Sequence, residues 1–316
     1  MKRLRLFLVL VLGLSLVPVV LAKEGGDQYP NGSENWFAGA TPPPGLTYVN
    51  YFGYYSGQLK DGAGNKVVGP NGLTPQVDAT FDAIRVIAMT KYKIFGADYG
   101  VHVIVPLVDQ SMNFEGIKGM KGRSNMLSLG DITIDPIILG WHHPNWHVAT
   151  GVDINLPTGH FDKSDPRVSV GANYYSFEPI LAFSLLPKSG WEASTKLMYN
   201  LKTTNQATDY HSGQDFHMDY LAGKHIGGLM VGASGYVLEQ TTDDTQKGVM
   251  VPAGGGFTAG NRGQVVAVGP SLGYTSKRHM SFILQWQHET VVENRFGGEK
   301  LWFKVMIPTG SGGPKS

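Results

Sequence analysis

Trp146-His147-Val148-Ala149-Thr150-Gly151-Val152-Asp153-Ile154-Asn155-Leu156 alternates along its whole length. Trp146, Val148, Thr150, Val152, Ile154 and Leu156 share one face; His147, Ala149, Gly151, Asp153 and Asn155 share the other. A period of two with one apolar face is the mark of a strand between two different surroundings. Strands in soluble domains are usually ~5–6 residues long, whereas a bilayer crossing needs ~9–11. A stretch of this length fits a wall with lipid on one side and a polar interior on the other.

Outward from this stretch the pattern recurs. Tyr99, Val101, Val103, Val105 and Leu107 alternate with Asp98, Gly100, His102 and Ile104; Trp191, Ala193, Thr195, Leu197 and Tyr199 alternate with Glu192, Ser194, Lys196 and Asn200. Twelve such segments are expected, near 46–60, 77–90, 95–107, 128–140, 146–156, 174–186, 191–201, 214–224, 228–240, 263–274, 280–289 and 299–308. The connections between them alternate long and short, from 61–76 and 91–94 to 275–279 and 290–298. An up-and-down barrel with short periplasmic turns and long external loops gives this pattern. The fold expected is therefore all-β: a transmembrane antiparallel barrel of 12 strands over residues 45–308.

Composition agrees. Glycine supplies 42 of 316 residues, which disfavours a helical protein. The net charge of +1 gives no reason to expect a nucleic-acid surface. Cysteine is absent, which excludes disulfide scaffolds, thiol nucleophiles and Cys-ligated zinc. Lys2, Arg3 and Arg5 precede an uncharged run from Leu6 to Ala22, with Val20 and Ala22 placed for cleavage before Lys23. Residues 1–22 read as a secretory signal peptide. Residues 23–44, polar and ending in Pro42-Pro43-Pro44, read as an extended leader, and 309–316 as a tail. Aromatics should form two girdles: Tyr92, Phe95, Trp141, Trp146 and Trp191 near the short turns, and Tyr48, Tyr51, Tyr54, Tyr55, Tyr199, Phe216 and Tyr236 toward the other end or mid-strand.

Several segments resemble the MetA-pathway phenol-degradation family of outer-membrane channels. They are Gly45-Leu46-Thr47-Tyr48-Val49-Asn50-Tyr51, Gly130-Asp131 followed by Pro136 and Leu139-Gly140-Trp141-His142, Leu156-Pro157-Thr158-Gly159 with Phe161-Asp162, Gly235-Tyr236 followed by Gln240-Thr241-Thr242-Asp243-Asp244, and Arg262-Gly263 with Gly269-Pro270. The resemblance implies a diffusion channel in the cell outer membrane for small hydrophobic or aromatic molecules. Its expected partners are membrane lipids, the solute and the barrel assembly machinery, with no cofactor and a monomeric state. The chain departs from outer-membrane barrels in ending beyond its last aromatic, Phe303, on Pro314-Lys315-Ser316.

Rival chemistries find little support. His142, His143 and His147 could suggest a metal, but no nearby carboxylate completes a ligand set, so none is expected. A twelve-stranded phospholipase would need His, a spacer and Ser-Asn-Gly; Arg123-Ser124-Asn125-Met126 and His211-Ser212-Gly213 do not supply it. A barrel enzyme and an adhesive barrel stay as alternatives to a channel, and no catalytic residue is expected. Gly254-Gly255-Gly256 read as a mobile loop and Asp243-Asp244 as a solvated acidic pair.

The polar faces should line the pore: Asp98, His102, Asp131, Thr133, Asp135, His147, Asp153, Asn155, Glu192, Lys196, Asn200, His217, Asp219, Gln285, Gln287 and Glu289. On that assignment Val103→Arg should impair assembly and His102→Arg should be tolerated. Pro136, Pro179 and Pro270 fall inside expected strands. Proline cannot donate to a ladder, so each should mark a bulge or kink, with Pro136 the favoured wall distortion.

Overall fold

The computed structural model describes residues 27–69, 71–114 and 122–309. The expected signal peptide and residues 310–316 of the tail lie outside the described residues. The wall consists of β1 (Gly45–Leu59), β2 (Gln76–Ile94), β3 (Ala97–Asn113), a fourth strand in two pieces, β4 (Arg123–Leu129) and β5 (Ile132–His143), then β6 (Trp146–Leu156), β7 (Ser176–Leu185) and β8 (Trp191–Lys202). After the two-residue loop strand β9 (Tyr210–His211) come β10 (Asp215–Ile226) and β11 (Leu229–Gln240). The loop strands β12 (Thr245–Gln246) and β13 (Val249–Met250) precede β14 (Gln264–Thr275), β15 (Ser281–Glu293) and β16 (Phe296–Pro308).

Each wall strand pairs antiparallel with its neighbours in the chain, and β1 pairs with β16 from Thr47↔Pro308 to Leu59↔Phe296, which closes the sheet. Closure pairs the barrel's first and last strands, the condition for crossing lipid with strands, and among the described residues leaves only β4 of the wall paired on one side, with β3. Alternation is clean where the strand crosses once without interruption. In β8, Glu192, Ser194, Lys196, Met198, Asn200 and Lys202 are buried inside, while Trp191 and Leu201 are exposed outside.

Three expectations need correction. The connection expected at 290–298 is a tight turn, because β15 runs to Glu293 and β16 starts at Phe296; the alternation of long and short therefore fails at the last long-loop position. The expected second girdle is not one band, since Tyr51 and Tyr236 point inward and are 5% and 1% exposed. The phenol tips of both find partners inside, which permits the burial. Asp243-Asp244 is not a solvated pair: Asp244 is fully buried and accepts from Tyr210 Oη (2.6 Å), Gly213 N (2.7 Å) and Gln240 Nε2 (2.8 Å), while Asp243 takes Arg262 Nε at 2.7 Å.

Candidate functional site

Residues 27–44, read from sequence as a leader, lie inside the barrel. Followed backward from β1, the chain enters at the short-turn end, where Thr41 Oγ1 lies 2.8 Å from His142 Nε2 and Gly39 N donates to Ser184 Oγ at 2.9 Å. Trp36 is next, 1% exposed, its Nε1 donating to Ser271 Oγ at 2.8 Å among Leu221, Met230 and Ile283. Asn35 bonds Gln285, and Asn31 Oδ1 lies 2.6 Å from His217 Nδ1. Tyr29 Oη, Gly32 N and Glu34 N all donate to the Asp219 carboxylate, at 2.7, 2.8 and 3.0 Å. Gln28 reaches Asp131 at 2.8 Å, and Asp27 pairs with Arg295 in the β15–β16 turn at the long-loop end. The segment thus threads the lumen from end to end. A chain with no regular secondary structure can be buried here because the polar wall satisfies its backbone groups.

Charges knit this plug to the wall. Glu34 Oε1 accepts from Arg85 Nη1 at 2.6 Å and from Tyr51 Oη at 2.5 Å, and its Oε2 lies 3.2 Å from Lys304. Glu192 accepts the Phe37 amide and the Ser194 hydroxyl, both at 2.6 Å. Arg85 Nη2 donates to His102 Nδ1 at 2.8 Å, so the His102 proton sits on Nε2, which faces Asp153 at 3.0 Å. His102, Asp135 and Asp153 are the trio among the described residues that could converge on a cation. Arg85 already holds a fixed positive charge against them. The same contact overturns the expectation that His102→Arg is tolerated: a second guanidinium would be buried against the first.

All sixteen expected lining residues belong to inward positions, but much of the lumen is filled by chain, and only Asp131, Thr133, Asp153, Asn155, Lys196 and Glu289 among them also face open space. Asp131, Glu192, Lys196, His217, Asp219, Gln285 and Gln287 hold the plug. Thr133, Asn155, Asp135 and Asp153 belong to the wall network. Asn200 is buried at 1% exposure, and Glu289 accepts from Gly298 N at 2.7 Å. Asp98 and His147 sit at the short-turn rim, beside Lys93 and His142 respectively. The sequence pattern gave no sign of Arg85, Trp36, Lys300 and Lys304, and it placed Tyr51 in a girdle rather than in the lumen. Arg85 and Tyr51 lie in strands with an aromatic or branched residue on both faces, so alternation did not single them out.

Toward the long-loop end the plug does not fill the lumen. A cavity of about 320 Å³ remains between its residues 27–34 and the wall. One side is apolar, built by Val77, Ala79 and Phe81 on β2 and Ile104, Pro106 and Val108 on β3. The lining continues directly along the wall with polar side chains: Asp131 and Thr133, the latter the register partner of Ile104, then Asp153 and Asn155 on β6 and Glu178 on β7.

The wall is irregular just to the short-turn side of this cavity, whose lining on β5 stops at Thr133. Pairing of β3 with β5 shifts register between Gly100↔Ile138 and His102↔Asp135, and pairing of β5 with β6 shifts between Ile134↔Ile154 and Leu139↔Thr150. Pro136 lies in both gaps, and Pro136 and Ile137 are exposed in succession, which breaks the alternation. The Ile137 amide, denied a ladder partner, donates to Asp135 Oδ1 at 2.9 Å. Pro179 and Pro270 keep in-register partners on one side, Val152 and Ala233. Neither lies at a register shift, so Pro136 is the distortion among the three.

Comparison with known proteins agrees with this architecture. The family model described as putative MetA-pathway of phenol degradation matches residues 56–305. The chain belongs to that family. An outer membrane channel from Pseudomonas putida F1 is similar in structure, with a TM-score of 0.69 and 12% identity over 85% of this chain and 97% of that one. The β domain of the Bordetella autotransporter BrkA gives a TM-score of 0.46 at 10% identity (84% and 99% covered), and a Pseudomonas aeruginosa FadL homologue 0.38 at 8% (89% and 98%). No curated protein matches the chain. The likeness to the Pseudomonas putida channel is one of fold: an antiparallel barrel of the outer-membrane type.

Proposed function

We propose that the chain is an outer-membrane channel for passive uptake of small hydrophobic or aromatic molecules, with no catalytic step. A solute enters from the long loops into the cavity beside the plug and leaves sideways through the wall at Pro136 into lipid. The observation that carries this reading is the adjacency of an apolar cavity, a blocked axial path and a wall whose ladder is broken on both sides of one strand. An apolar solute gains nothing from the polar lower lumen, because leaving water for lipid favours it by ~25 cal/mol per Å² of apolar surface. The barrel works as a monomer in this reading, since closure pairs its first and last strands.

The absence of cysteine makes a clean test available. Ile134→Cys with Ile154→Cys, and Leu139→Cys with Thr150→Cys, join register partners at the two ends of the gap. Oxidation should slow uptake of an apolar dye into proteoliposomes, and reduction should restore it. Uptake unchanged on oxidation would move the exit back to the barrel axis.

A further inference from the structure

The cavity between plug and wall has a chemistry of its own. Its lining carries the carboxylates of Asp27, Glu34, Asp131, Asp153, Glu178 and Glu289 against three cations, Lys196, Arg295 and Lys300. The cations are engaged. Arg295 pairs with Asp27, Lys300 donates to Asn31 O at 3.0 Å and lies over the Tyr236 ring at 4.5 Å, and Lys196 packs over the Tyr29 ring at 4.5 Å. Most acids are engaged too: Asp131 takes Gln28, Gly159 N and Ala172 N, and Glu289 takes Tyr55, Tyr236 and Gly298 N.

Glu178 is the exception. It is 1% exposed, its Oε1 has no hydrogen-bond partner among the described residues, and His217 Nε2 stands off at 3.9 Å. Strand register sets it directly opposite Asp153 on β6, whose own positive neighbours are His102 Nε2, 3.0 Å from Oδ1, and Lys196 Nζ, 3.9 Å from Oδ2. Two acids paired across a sheet repel, and a buried acceptor without a donor is costly. Both costs are relieved by a ligand that brings a positive donor. Along the same wall from these acids lies the apolar stretch of β2 and β3.

We infer that the cavity binds a small amphipath with a single-ring apolar body on β2–β3 and a protonated amine against Glu178 and Asp153, and that it rejects carboxylates. This inference rests on the channel reading and names its solute class by charge. A charge-assisted hydrogen bond is roughly twice as strong as a neutral one, so removing it should be visible as about tenfold in affinity.

The test is calorimetric titration of the purified full chain in detergent with three probes sharing one ring: benzylamine, benzyl alcohol and benzoate. Benzylamine should bind at least about tenfold more tightly than benzoate, with benzyl alcohol between them. Glu178→Gln should bring benzylamine and benzoate to within a few-fold of each other, and Ala79→Phe, which fills the apolar side, should abolish binding of all three. The head-group series on the unaltered chain stands even if a variant fails to fold. Benzoate binding as tightly as benzylamine, or a preference that survives Glu178→Gln, would overturn the inference. Failure of the channel reading looks different: amine binding retained with no conductance in planar bilayers.

Discussion

Trp36 should act as the anchor that keeps the lumen shut. Its indole is 1% exposed and lies over two glycines of the wall, Gly223 on β10 and Gly232 on β11. Trp36→Ala removes a fully buried aromatic, a change that costs about 3–5 kcal/mol. Because the ring belongs to the plug, that loss falls on plug docking, so the unplugged fraction should rise by about two to four orders of magnitude. Gly223→Ala tests the same contact from the wall side. A β-carbon there would fall inside the indole, and overpacking of this kind costs about 1–3 kcal/mol. The ring can retreat while the β10 ladder cannot, so the plug should yield. Gly232→Ala differs: its β-carbon would meet the Ala222 carbonyl at 2.6 Å and Gly223 Cα at 2.9 Å, both wall backbone, and should lower barrel stability instead. Single-channel recording should show Trp36→Ala and Gly223→Ala spending far more time in a high-conductance state, with thermal unfolding of the β signal little changed. Unchanged conductance together with a lowered melting temperature in Trp36→Ala would refute the argument, since Trp36 would then be part of the barrel's own core.

Other perturbations separate wall from plug. Glu34→Gln leaves Arg85 and Lys304 facing each other without their shared carboxylate; breaking such a buried pair costs about 3–5 kcal/mol, and channel noise and protease access to residues 27–44 should both rise. Val103→Arg puts a charge on the lipid face near mid-strand, worth about 2–4 kcal/mol, and should reduce the folded, heat-modifiable band on gels. In the loop before β7, the Ser164 hydroxyl and then its amide hold the Asp162 carboxyl below its usual range, and the Arg167 side chain does the same for Asp165. A carboxyl lowered in the fold favours the folded loop above its ordinary titration range, and that contribution is lost as pH falls through the lowered value. Proteolysis of the 157–175 loop should therefore stay slow at pH 5 and accelerate only in stronger acid; in Ser164→Ala the onset should move to higher pH.

The wall was legible because each crossing strand meets lipid on one face and polar groups on the other, so residues such as Val152 and Asp153 must alternate. Alternation lapses at Pro136-Ile137, where two successive residues face out, and the sequence still flagged the place because proline cannot join a ladder. The plug was not legible. Residues 27–44 make neither helix nor strand, and most of their partners lie more than 100 positions away, as with Gln28 and Asp131 or Lys304 and Ser33. What hinted at them was chemistry rather than period: acids such as Glu192 and Asp219 on inward faces need donors, and Trp36-Phe37 is an aromatic pair in a polar leader with no strand to hold it. Glu178 was read as part of a strand and passed over because its distinction, a missing partner, exists only in three dimensions.

Conductance of the full chain and of a variant lacking residues 27–40, recorded side by side in planar bilayers, tests the central claim most directly. A plugged channel predicts small, infrequent openings for the full chain and a large, steady conductance for the variant. Equal conductance would mean that the segment does not control the lumen, and silence from both would mean that the barrel is not a channel.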